Sequence, residues 1–405
     1  METGRIFEGI KVAEFAWVGV GPIAGKMLGS WGATVVKIET NATPCPLRSM
    51  GPFKDLVPGA NRSAFFTLPN PNKYGLTLNL KKAEAQEAAR KLIAWADVVT
   101  ESYTPGTMTN WGLDYEAARK INPGIIYFST CMQGQTGPNR LFRGFGVHMA
   151  ALAGYYHLTG WADKAPAGPY GAYTDFIAMM YGQALVLAAL DYRRRTGKGL
   201  YIDLSQIEAA LHFQGPVLLD YTTNNRVWNR MGNRNDRACP HGAYPCSGED
   251  RWVAIAVFSD EQWQRFCNVL GRSEWKGDSR FATFLSRKEN EDELERLIGQ
   301  WTGKFTAEQV MSMMQAAGVA AGVVNKSSDL FSDPQLKERN DFVTLNHTEI
   351  GPHYYRTGSY NLSKTPEEMV RPAPCLGEHN EYVLRELLNF SDGEIADLAA
   401  AEALE

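Results

Sequence analysis

The stretch Lys11–Glu39 reads KVAEFAWVGVGPIAGKMLGSWGATVVKIE, and it decides the fold. An apolar, strand-like run extends to Trp17 and is followed by a glycine-rich turn that ends at Pro22, a residue suited to the first turn of a helix. The helical pattern that follows is closed by Gly32, and a β-branched run then leads to Glu39. A strand, a helix and a second strand in this order predict a βαβ unit and therefore a parallel sheet.

Four more strand patterns continue this arrangement along the chain. They are Leu76–Leu80, Ala96–Glu101, Gly124–Thr130 and Leu200–Leu204. Ligands of open α/β sheets collect where parallel strands end, so the loops after these strands are candidate binding segments. The loops carry Gly19, Tyr103 and Gln133, and Arg140 and Arg143 lie close by in the sequence.

A rival interpretation of the first unit is a dinucleotide-binding fingerprint. Gly19, Gly21 and Gly25 approach the GxGxxG pattern, but the spacing is one residue too long, and Ala24 occupies the position of the third glycine. Pro22 also removes a backbone N–H that would face a pyrophosphate. The near match of so short a motif favours nicotinamide or flavin binding only weakly.

A second decisive stretch begins with the Gly/Pro-rich residues 166–174 and leads to Asp175, which opens a long apolar helix. Because that helix is apolar nearly all round, we expect it to be buried. Gly197 ends it, and Ser205 with Glu208 predicts a capping box for the next helix. Asp175 allows two interpretations: a carboxylate that stabilises a helix N-terminus, or a catalytic nucleophile held there.

Composition argues against several functional classes. A chain of 405 residues with 44% hydrophobic and 21% charged residues is typical of a globular protein of roughly two domains. The net charge of −4 gives no reason to expect nucleic-acid binding. No apolar run reaches membrane-spanning length and the N-terminus lacks the apolar core of a signal peptide, so we expect a cytoplasmic protein that binds no membrane.

The six cysteines are scattered along the chain, which favours reduced thiols over a disulfide framework. Cys239, His241 and Cys246 are close in sequence, but their spacing matches no zinc motif. We therefore expect no metal site.

The second half of the chain predicts a smaller α+β region. Residues 224–246 are rich in Asn, Arg and Gly and have little apolar periodicity, which predicts a linker. Strand patterns follow at Trp252–Val257 and Gly318–Val324, and Ser259 with Gln262 predicts the start of a helix after the first of them.

Taken together, these residues resemble the class III CoA-transferases, the formyl-CoA and carnitine CoA-transferase family. The resemblance covers nearly the whole chain. Its motifs are Gly21-Pro22, Trp31-Gly-Ala33, Val36-Lys-Ile-Glu39, Asn72-Lys73, Leu78-Asn-Leu80, Ala96-Asp-Val98, Thr196-Gly-Lys-Gly199, Pro240-His-Gly-Ala-Tyr-Pro-Cys246 and Leu376-Gly-Glu-His379. Each motif is short, but their order and spacing together are specific.

The resemblance implies a Rossmann-like large domain built from both ends of the chain, with a smaller α+β domain inserted by linkers. The corresponding assignment is 1–223 for the first part of the large domain, 224–246 for a linker, 247–330 for the small domain, and 331–405 for the return linker and the C-terminal part of the large domain. It also implies an interlaced dimer, of two identical subunits or with a paralogous subunit.

The activity that the resemblance implies is transfer of CoA between carboxylic acids, with acyl-CoA as a substrate and no permanently bound cofactor. The family's catalytic aspartate corresponds to Asp175. The residues implied to contact CoA are Val18, Gly19, Val20, Leu78, Lys81, Ser102, Tyr103 and Arg143. Thr40, Asn110 and Gly146 depart from the family pattern, and the glycine-rich lid of the formyl-CoA branch is absent, so we do not expect formate or oxalate as a substrate.

We expect succinyl-CoA as the donor and an aromatic or hydrophobic acid as the acceptor, by similarity to the benzylsuccinate CoA-transferases of anaerobic toluene degradation. Trp17, Trp161, Tyr170 and Tyr173 surround Asp175 in the sequence and are candidates for lining an apolar pocket. Aromatic residues near buried helices are as often part of the core.

Two other functions remain open. A racemase that acts on 2-methylacyl-CoA shares this fold and uses an acid/base pair, for which Asp175 and His148 are the candidates. A non-catalytic subunit that only supports a partner is the third possibility, and the presence of Asp175 argues against it.

Overall fold

The structure is a computed structural model that describes residues 4–405. The chain divides into two compact units. The first comprises the chain up to Tyr155, Gly168–Val227 and Glu338–Glu405, and the second comprises Tyr156–Ala167 and Trp228–Lys337. These boundaries differ from the predicted domains chiefly at residues 156–167 and 228–246, which belong to the second unit.

A six-stranded sheet forms the centre of the first unit. Its strands are β1 (Lys11–Glu14), β2 (Thr34–Glu39), β3 (Lys73–Thr77), β4 (Val98–Glu101), β5 (Ile126–Cys131) and β6 (Leu200–Ser205). Every pairing is parallel, and the order is β3-β2-β1-β4-β5-β6. This is the strand order of a Rossmann fold, so the predicted Rossmann-like sheet is confirmed.

Apolar side chains cover both faces of the sheet. Val35 packs into one core cluster and the adjacent Val36 packs into the other, because successive strand residues point to opposite faces. A parallel strand buried on both faces has a continuous apolar sequence. This explains why the strand patterns were recognisable as short apolar runs.

Helices and short turns connect the strands. The helices in chain order are α1 (Val20–Ser30), α2 (Ala64–Thr67), α3 (Ala83–Trp95), α4 (Thr107–Asn110), α5 (Tyr115–Ile121), α6 (Gly146–Leu152), α7 (Tyr155–Leu158), α8 (Tyr173–Thr196), α9 (Gln206–Phe213) and α10 (Gly215–Asn224), with 3₁₀ turns at Pro46–Ser49 and Lys54–Leu56.

The glycines of α1 bring this helix close to β1. A Cβ atom at Gly21 would lie 2.4 Å from the Ala16 Cβ, and one at Gly25 would lie 1.9 Å from a carboxylate oxygen of Glu14. Only glycine permits so close an approach. Packing of the helix therefore accounts for the glycine spacing that resembles a dinucleotide fingerprint.

Helix α8 is less buried than its composition predicts. One face packs against α1, α6, α9, β5 and β6 and buries Ile177, Ala178 and Val186. The opposite face leaves Phe176 44% exposed and Met180 64% exposed. The prediction that α8 is buried on all sides is therefore wrong, because no element within residues 4–405 covers this second face.

Length and composition also make α8 the one helix within residues 4–405 that could cross a membrane, contrary to the expectation that no apolar run is long enough. The core helix of a globular protein meets the same criteria, so this is weak evidence. Asp175 is buried in the first turn of α8, and Arg193 lies in its last turn.

The second unit is α+β, as predicted. Its antiparallel sheet has the order β7-β8-β9. The elements in this part of the chain are β7 (His241–Pro245), β8 (Trp252–Ala256), α11 (Asp260–Leu270), a 3₁₀ turn (Ser273–Lys276), α12 (Phe284–Glu289), α13 (Glu291–Thr302), α14 (Ala307–Ala316), β9 (Ala320–Val324), α15 (Ser327–Leu330) and α16 (Pro334–Glu338). The linker prediction for 224–246 is wrong at β7, where Gly242 and Pro245 obscure the alternation of a strand that pairs with β8.

The last part of the chain returns to the first unit. It contains β10 (Phe342–His347), β11 (Gly351–Arg356), α17 (Asn380–Tyr382), a π-helical turn (Val383–Leu387) and α18 (Asp392–Ala400). The Gly75 N–H donates to His379 Nδ1 at 3.1 Å, and the Thr77 N–H donates to Asn380 Oδ1 at 2.8 Å. These bonds hold the C-terminal part along β3, in line with a large unit built from both chain ends.

Candidate active site

A cavity of about 490 Å³ opens at the carboxyl ends of β1, β4, β5 and β6. It lies beside the point where the strand order reverses between β1 and β4, which is where ligands of open α/β sheets bind. The loops after these strands, the start of α6 and the first turns of α8 and α9 line it. The cavity is therefore the candidate active site.

Most of the predicted site residues meet in this cavity. Asp175 lines it together with six predicted CoA contacts, Val18, Gly19, Val20, Ser102, Tyr103 and Arg143. Leu78 and Lys81 instead line a second cavity of about 250 Å³, which also has Trp17 and Tyr103 in its wall. Because those two aromatic residues line both cavities, the two spaces adjoin. The predicted residues thus surround one continuous region at the edge of the sheet.

Asp175 lies inside the first turn of α8, and its side chain is buried. Burial raises the pKa of this carboxyl to about 7, and a hydrogen bond from the Gln206 side chain lowers it in part. Its Oδ1 atom has no hydrogen-bond partner among residues 4–405. The helix begins after Ala172 without a side-chain cap. Asp175 therefore does not cap the helix through its side chain, and it has an unpartnered oxygen in a desolvated environment.

Two glycines flank the Asp175 carboxyl group. A Cβ atom at Gly19 would lie 2.8 Å from Oδ2, and a Cβ atom at Gly146 would lie 2.7 Å from Oδ1. Ordinary van der Waals contact begins at 3.4 Å. Side chains at these two positions would crowd the carboxyl group, so glycine at both positions leaves room for it.

Three helix N-termini open onto the cavity. Val20 begins α1, Asp175 lies in the first turn of α8, and Gln206 begins α9, and all three residues line the cavity. Free backbone N–H groups and the helix dipole favour negative charge at such ends. The site therefore suits carboxylates, thiolates and oxyanions, although burial still keeps the pKa of Asp175 raised.

The loop after β1 is held in a fixed conformation. The Ser102 hydroxyl donates to the Trp17 carbonyl at 2.8 Å and accepts from the Trp17 N–H at 3.0 Å. Val18 has a φ of +63°, a strained conformation for a β-branched residue, and its N–H contacts the Cys45 sulfur at 3.3 Å. Strain of this kind persists only where the surroundings impose it.

A buried charge cluster supports the same loop. The Lys37 ammonium donates to the Ala16 carbonyl at 2.8 Å and to Glu14 at 3.3 Å. The Lys73 ammonium donates to both carboxylate oxygens of Glu14 at 2.8 Å. All three charged side chains are fully buried, and burial lowers the pKa of Lys73 to about 7. The cluster joins β1, β2 and β3 and fixes the carbonyl that precedes Trp17.

Exposed polar residues line the open side of the cavity. Arg143 and His148 are both exposed and both line it. The Phe145 N–H donates to His148 Nδ1 at 3.1 Å, so the Nε2 atom is the one left to meet a ligand. Arg140 lines neither this cavity nor the adjoining one, and Gln133 lines a separate polar cavity. Arg143 and His148 are thus the basic groups placed to bind an anionic substrate.

The predicted aromatic pocket is only partly correct. Trp17 lines the cavity, whereas Trp161, Tyr170 and Tyr173 do not. Tyr170 is fully exposed, Tyr173 packs its ring against Tyr155, and Trp161 belongs to the second unit. Proximity to Asp175 in the sequence did not predict the pocket lining correctly, because the segment before α8 leads away from the carboxyl group.

Gln206 is a site residue that the sequence interpretation missed. Ser205 caps α9 by accepting from the Glu208 N–H, but the hydrogen bonds of residues 4–405 do not include the return bond of the predicted capping box. Gln206 then places a buried side chain in the cavity. A single amide residue has no motif of its own. Its position directly after β6 is the available signal, because the loops after the other strands were already candidates for binding.

The surroundings of Cys239, His241 and Cys246 indicate a structural role for these residues. Both cysteines lie in the apolar core of the second unit, and the His241 ring contacts the Asn233 carbonyl. Residues 4–405 contain no group of three His, Cys, Asp or Glu side chains positioned to hold a metal ion.

The fold and the site define a class of protein. Residues 7–380 match the family model described as CoA-transferase family III, and the chain belongs to this family. The predicted family is confirmed, and the protein is a CoA-transferase.

Individual relatives agree with this assignment. The chain is 33% identical over 383 residues to the succinate–glutarate CoA-transferase of Agrobacterium fabrum, which covers 94% of this chain and 95% of the relative. It is 30% identical over 400 residues to the succinyl-CoA–D-citramalate CoA-transferase of Chloroflexus aurantiacus, covering 99% and 98%. A crystal structure of a CAIB/BAIF family protein from Brucella suis matches with a TM-score of 0.87 and 30% identity, covering 95% of this chain and 100% of that one.

Proposed function

We propose that this protein transfers CoA from succinyl-CoA to a dicarboxylic acid, with Asp175 carrying first the acyl group and then CoA. The observation that carries the proposal is the Asp175 carboxyl group itself. It is buried at the edge of the sheet, flanked by two glycines, with one oxygen free of hydrogen bonds within the described chain. No role in capping a helix accounts for this arrangement.

The proposed reaction runs through two kinds of covalent intermediate. The ionised Asp175 carboxylate attacks the thioester carbonyl, which forms a mixed anhydride and releases CoA thiolate. The thiolate attacks the aspartyl carbonyl, forms an aspartyl-CoA thioester and releases the first acid. The second acid then reverses these steps: its carboxylate attacks the aspartyl thioester, and the thiolate attacks the new acyl carbonyl. Acyl activation is conserved throughout, provided that water is excluded.

The site supplies what these steps require. Burial removes solvent from the Asp175 carboxyl, and the pKa of about 7 leaves a reactive ionised fraction near neutral pH. The first turn of α1, which Val20 begins beside Gly19, supports stabilisation of oxyanions by backbone N–H groups. Gly19 and Gly146 allow the thioester to approach the nucleophile.

The two adjoining cavities support a binding mode for CoA. We place the thioester beside Asp175 and the remainder of CoA along Tyr103 towards Leu78 and Lys81. Lys81 and the exposed Arg143 provide positive charge for the phosphate groups of CoA. Thr40 lines the second cavity in place of the arginine that the family pattern often has there, so the nucleotide contacts differ from that pattern.

The acceptor is the finer part of the proposal. The names of two relatives specify citramalate and glutarate, which are dicarboxylic acids. His148 lines the same cavity, and its Nδ1 accepts from the Phe145 N–H, so its Nε2–H is available to donate to a second carboxylate. Benzylsuccinate is also a dicarboxylic acid, but the predicted preference for an aromatic acid has lost the support of Trp161, Tyr170 and Tyr173, which do not line the cavity.

The test is a mass-spectrometric screen of CoA esters formed from succinyl-CoA. The panel contains glutarate, citramalate, malate and benzylsuccinate, with butyrate and benzoate as monocarboxylic controls. We expect CoA esters of one or more dicarboxylic acids and little product from the monocarboxylic acids. Preferential use of benzoate or butyrate would overturn the proposed acceptor class while leaving the enzyme class unchanged.

The racemase alternative has one supporting observation, since His148 and Asp175 line the same cavity. A racemase exchanges the C2 proton of a 2-methylacyl-CoA with solvent. Incubation in D₂O without an acceptor acid separates the two activities, because a CoA-transferase leaves C2 unlabelled. Deuterium incorporation at C2 in the wild type, lost in both His148→Ala and Asp175→Ala, would favour the racemase.

We also propose that the active form is a dimer, homomeric or with a paralogous subunit. The exposed apolar face of α8, which includes Phe176, Met180 and Leu187, supports burial against a partner. Light scattering tests this: we expect a dimer for the wild type and dissociation for Met180→Glu. A stable and active wild-type monomer at micromolar concentration would contradict the proposal.

A further inference from the structure

Gln206 is a buried polar residue in the wall of the cavity, and the proposed reaction assigns it no role. Its side chain is 5% exposed and lines the cavity together with Asp175, and it lowers in part the pKa of the Asp175 carboxyl, which burial raises. Its Oε1 atom has no partner among residues 4–405. A buried amide oxygen without a partner is unusual, because buried polar groups are generally satisfied, and this amide faces the cavity that Asp175 also lines.

The backbone around Gln206 holds this amide in place. Ser205 caps the helix by accepting from the Glu208 N–H at 3.5 Å. The Ile207 N–H donates to the Met132 carbonyl at 3.1 Å, which ties the start of α9 to the loop after β5. A donor that is held before the reaction begins stabilises developing charge without reorganisation.

We propose that Gln206 is a catalytic residue: its side-chain N–H groups stabilise the oxyanion that forms on the aspartyl oxygen of Asp175. This inference rests on the proposed covalent reaction. When CoA thiolate attacks the mixed anhydride, a carbon–sulfur bond forms at the aspartyl carbonyl and the carbonyl π electrons move to oxygen. Collapse of this oxyanion breaks the bond to the first acid, which leaves as a carboxylate. Gln206 keeps its protons throughout.

The chemistry of an amide suits this position. It donates to the carboxylate, to the acyl oxygen and to the oxyanion in turn, whereas a cationic donor would hold the resting carboxylate more tightly and reduce its nucleophilicity. An amide also does not titrate, so it cannot compete for the proton of Asp175. Gln206 therefore acts at the aspartyl carbonyl in both halves of the transfer.

A simple structural role is the alternative, in which Gln206 only satisfies a buried carboxyl group. Gln206→Met keeps the length of the side chain and removes the donor. Gln206→Glu keeps both length and polarity and also removes the amide N–H groups. Gln214→Met is the matched control, because Gln214 is also a buried glutamine and its amide nitrogen has no partner within residues 4–405, but it follows the far end of α9 and does not line the cavity.

The pH–rate profile distinguishes the two roles of Gln206, because the loss of a purely structural residue would leave the profile unchanged. The other titratable groups facing the cavity are Tyr103, Cys131, Arg143 and His148. Titratable side chains on the elements packed against α8 also include Lys26, Tyr127, Tyr201, Asp203, Glu208 and His212. His148 is the histidine that lines the cavity, so the acid limb is measured in a His148→Gln background as well.

We expect Gln206→Met to lower kcat by about 10²- to 10³-fold, the usual loss for one oxyanion donor, and to shift the acid limb to higher pH. Gln206→Glu should show a similar or larger loss, and Gln214→Met should change kcat by less than about threefold. Should the Met variant not fold, the Glu variant carries the same readout. Wild-type kcat and an unmoved acid limb in a folded Gln206 variant would overturn this inference. Full transfer by Asp175→Ala would instead overturn the covalent reaction on which it rests.

Discussion

Replacing Gly19 by alanine tests whether the space around the nucleophile is functional. The added Cβ would lie 2.8 Å from Oδ2 of Asp175, and its three nearest atoms all belong to Asp175. Ordinary contact begins at 3.4 Å, so the carboxyl or the loop must move by 3.4 − 2.8, about 0.6 Å. A displacement of 1 Å in an active site can cost about 10²-fold in rate. We therefore expect kcat/KM to fall by roughly 10- to 100-fold.

Stability should respond differently from activity. Gly19 has a φ of −99°, which alanine tolerates, and removing a glycine also reduces the entropy of the unfolded chain by about 0.4–1 kcal/mol. The melting temperature should therefore change by only a few degrees. Gly393→Ala is the control, because it also lies in the first turn of a helix and its Cβ would meet no atom within 4 Å. Steady-state kinetics and thermal unfolding are measured for all three proteins. A Gly19→Ala enzyme with wild-type kcat/KM would refute the argument from crowding.

Three further perturbations test other parts of the site. Folding raises the pKa of Asp175 from 3.8 to about 7, so the protonated form stabilises the folded state fully below about pH 4, and this stability is lost as pH rises through 7. In urea unfolding, Asp175→Asn should therefore be more stable than the wild type by up to about 4 kcal/mol at pH 8, and the difference should shrink towards pH 4. A difference that does not change with pH would contradict the burial argument. Arg143→Ala should weaken binding of a CoA ester, measured by calorimetry, without lowering the melting temperature, and unchanged affinity would remove Arg143 from the site. Glu14→Gln removes the buried carboxylate to which the ammonium groups of Lys37 and Lys73 both donate, so urea unfolding should show a loss of about 3–5 kcal/mol, and a loss below 1 kcal/mol would mean that the cluster has relaxed.

The central sheet and the position of the nucleophile were predictable because both depend on local patterns. Lys11–Glu39 contains a strand, a glycine-limited helix and a second strand within one short stretch. Asp175 follows a segment rich in glycine and proline and precedes a continuous apolar helix. Loops after parallel strands converge in space, so the sequence alone predicts that Gly19 and Tyr103 lie at the site.

Other features depend on contacts that a sequence pattern does not contain. The composition of α8 cannot reveal that Met180 lies on a face which no described element covers. Gln206 has no motif, and only its contact with Asp175 marks it as functional. The motif residues Lys37 and Lys73 were recognised by resemblance, while their physical role, the buried pairing with Glu14, required the structure.

The central claim is that Asp175 becomes covalently acylated, and trapping with hydroxylamine tests it most directly. Incubation with succinyl-CoA and hydroxylamine, followed by tryptic digestion, yields the peptide of residues 165–193, which contains two aspartates, Asp175 and Asp191. Asp191 is exposed and paired with Arg194 and Arg195, so it serves as an internal control. The account predicts a hydroxamate at Asp175 alone, dependent on the acyl-CoA and absent from Asp175→Ala. Sustained CoA transfer with an unmodified Asp175 would contradict it.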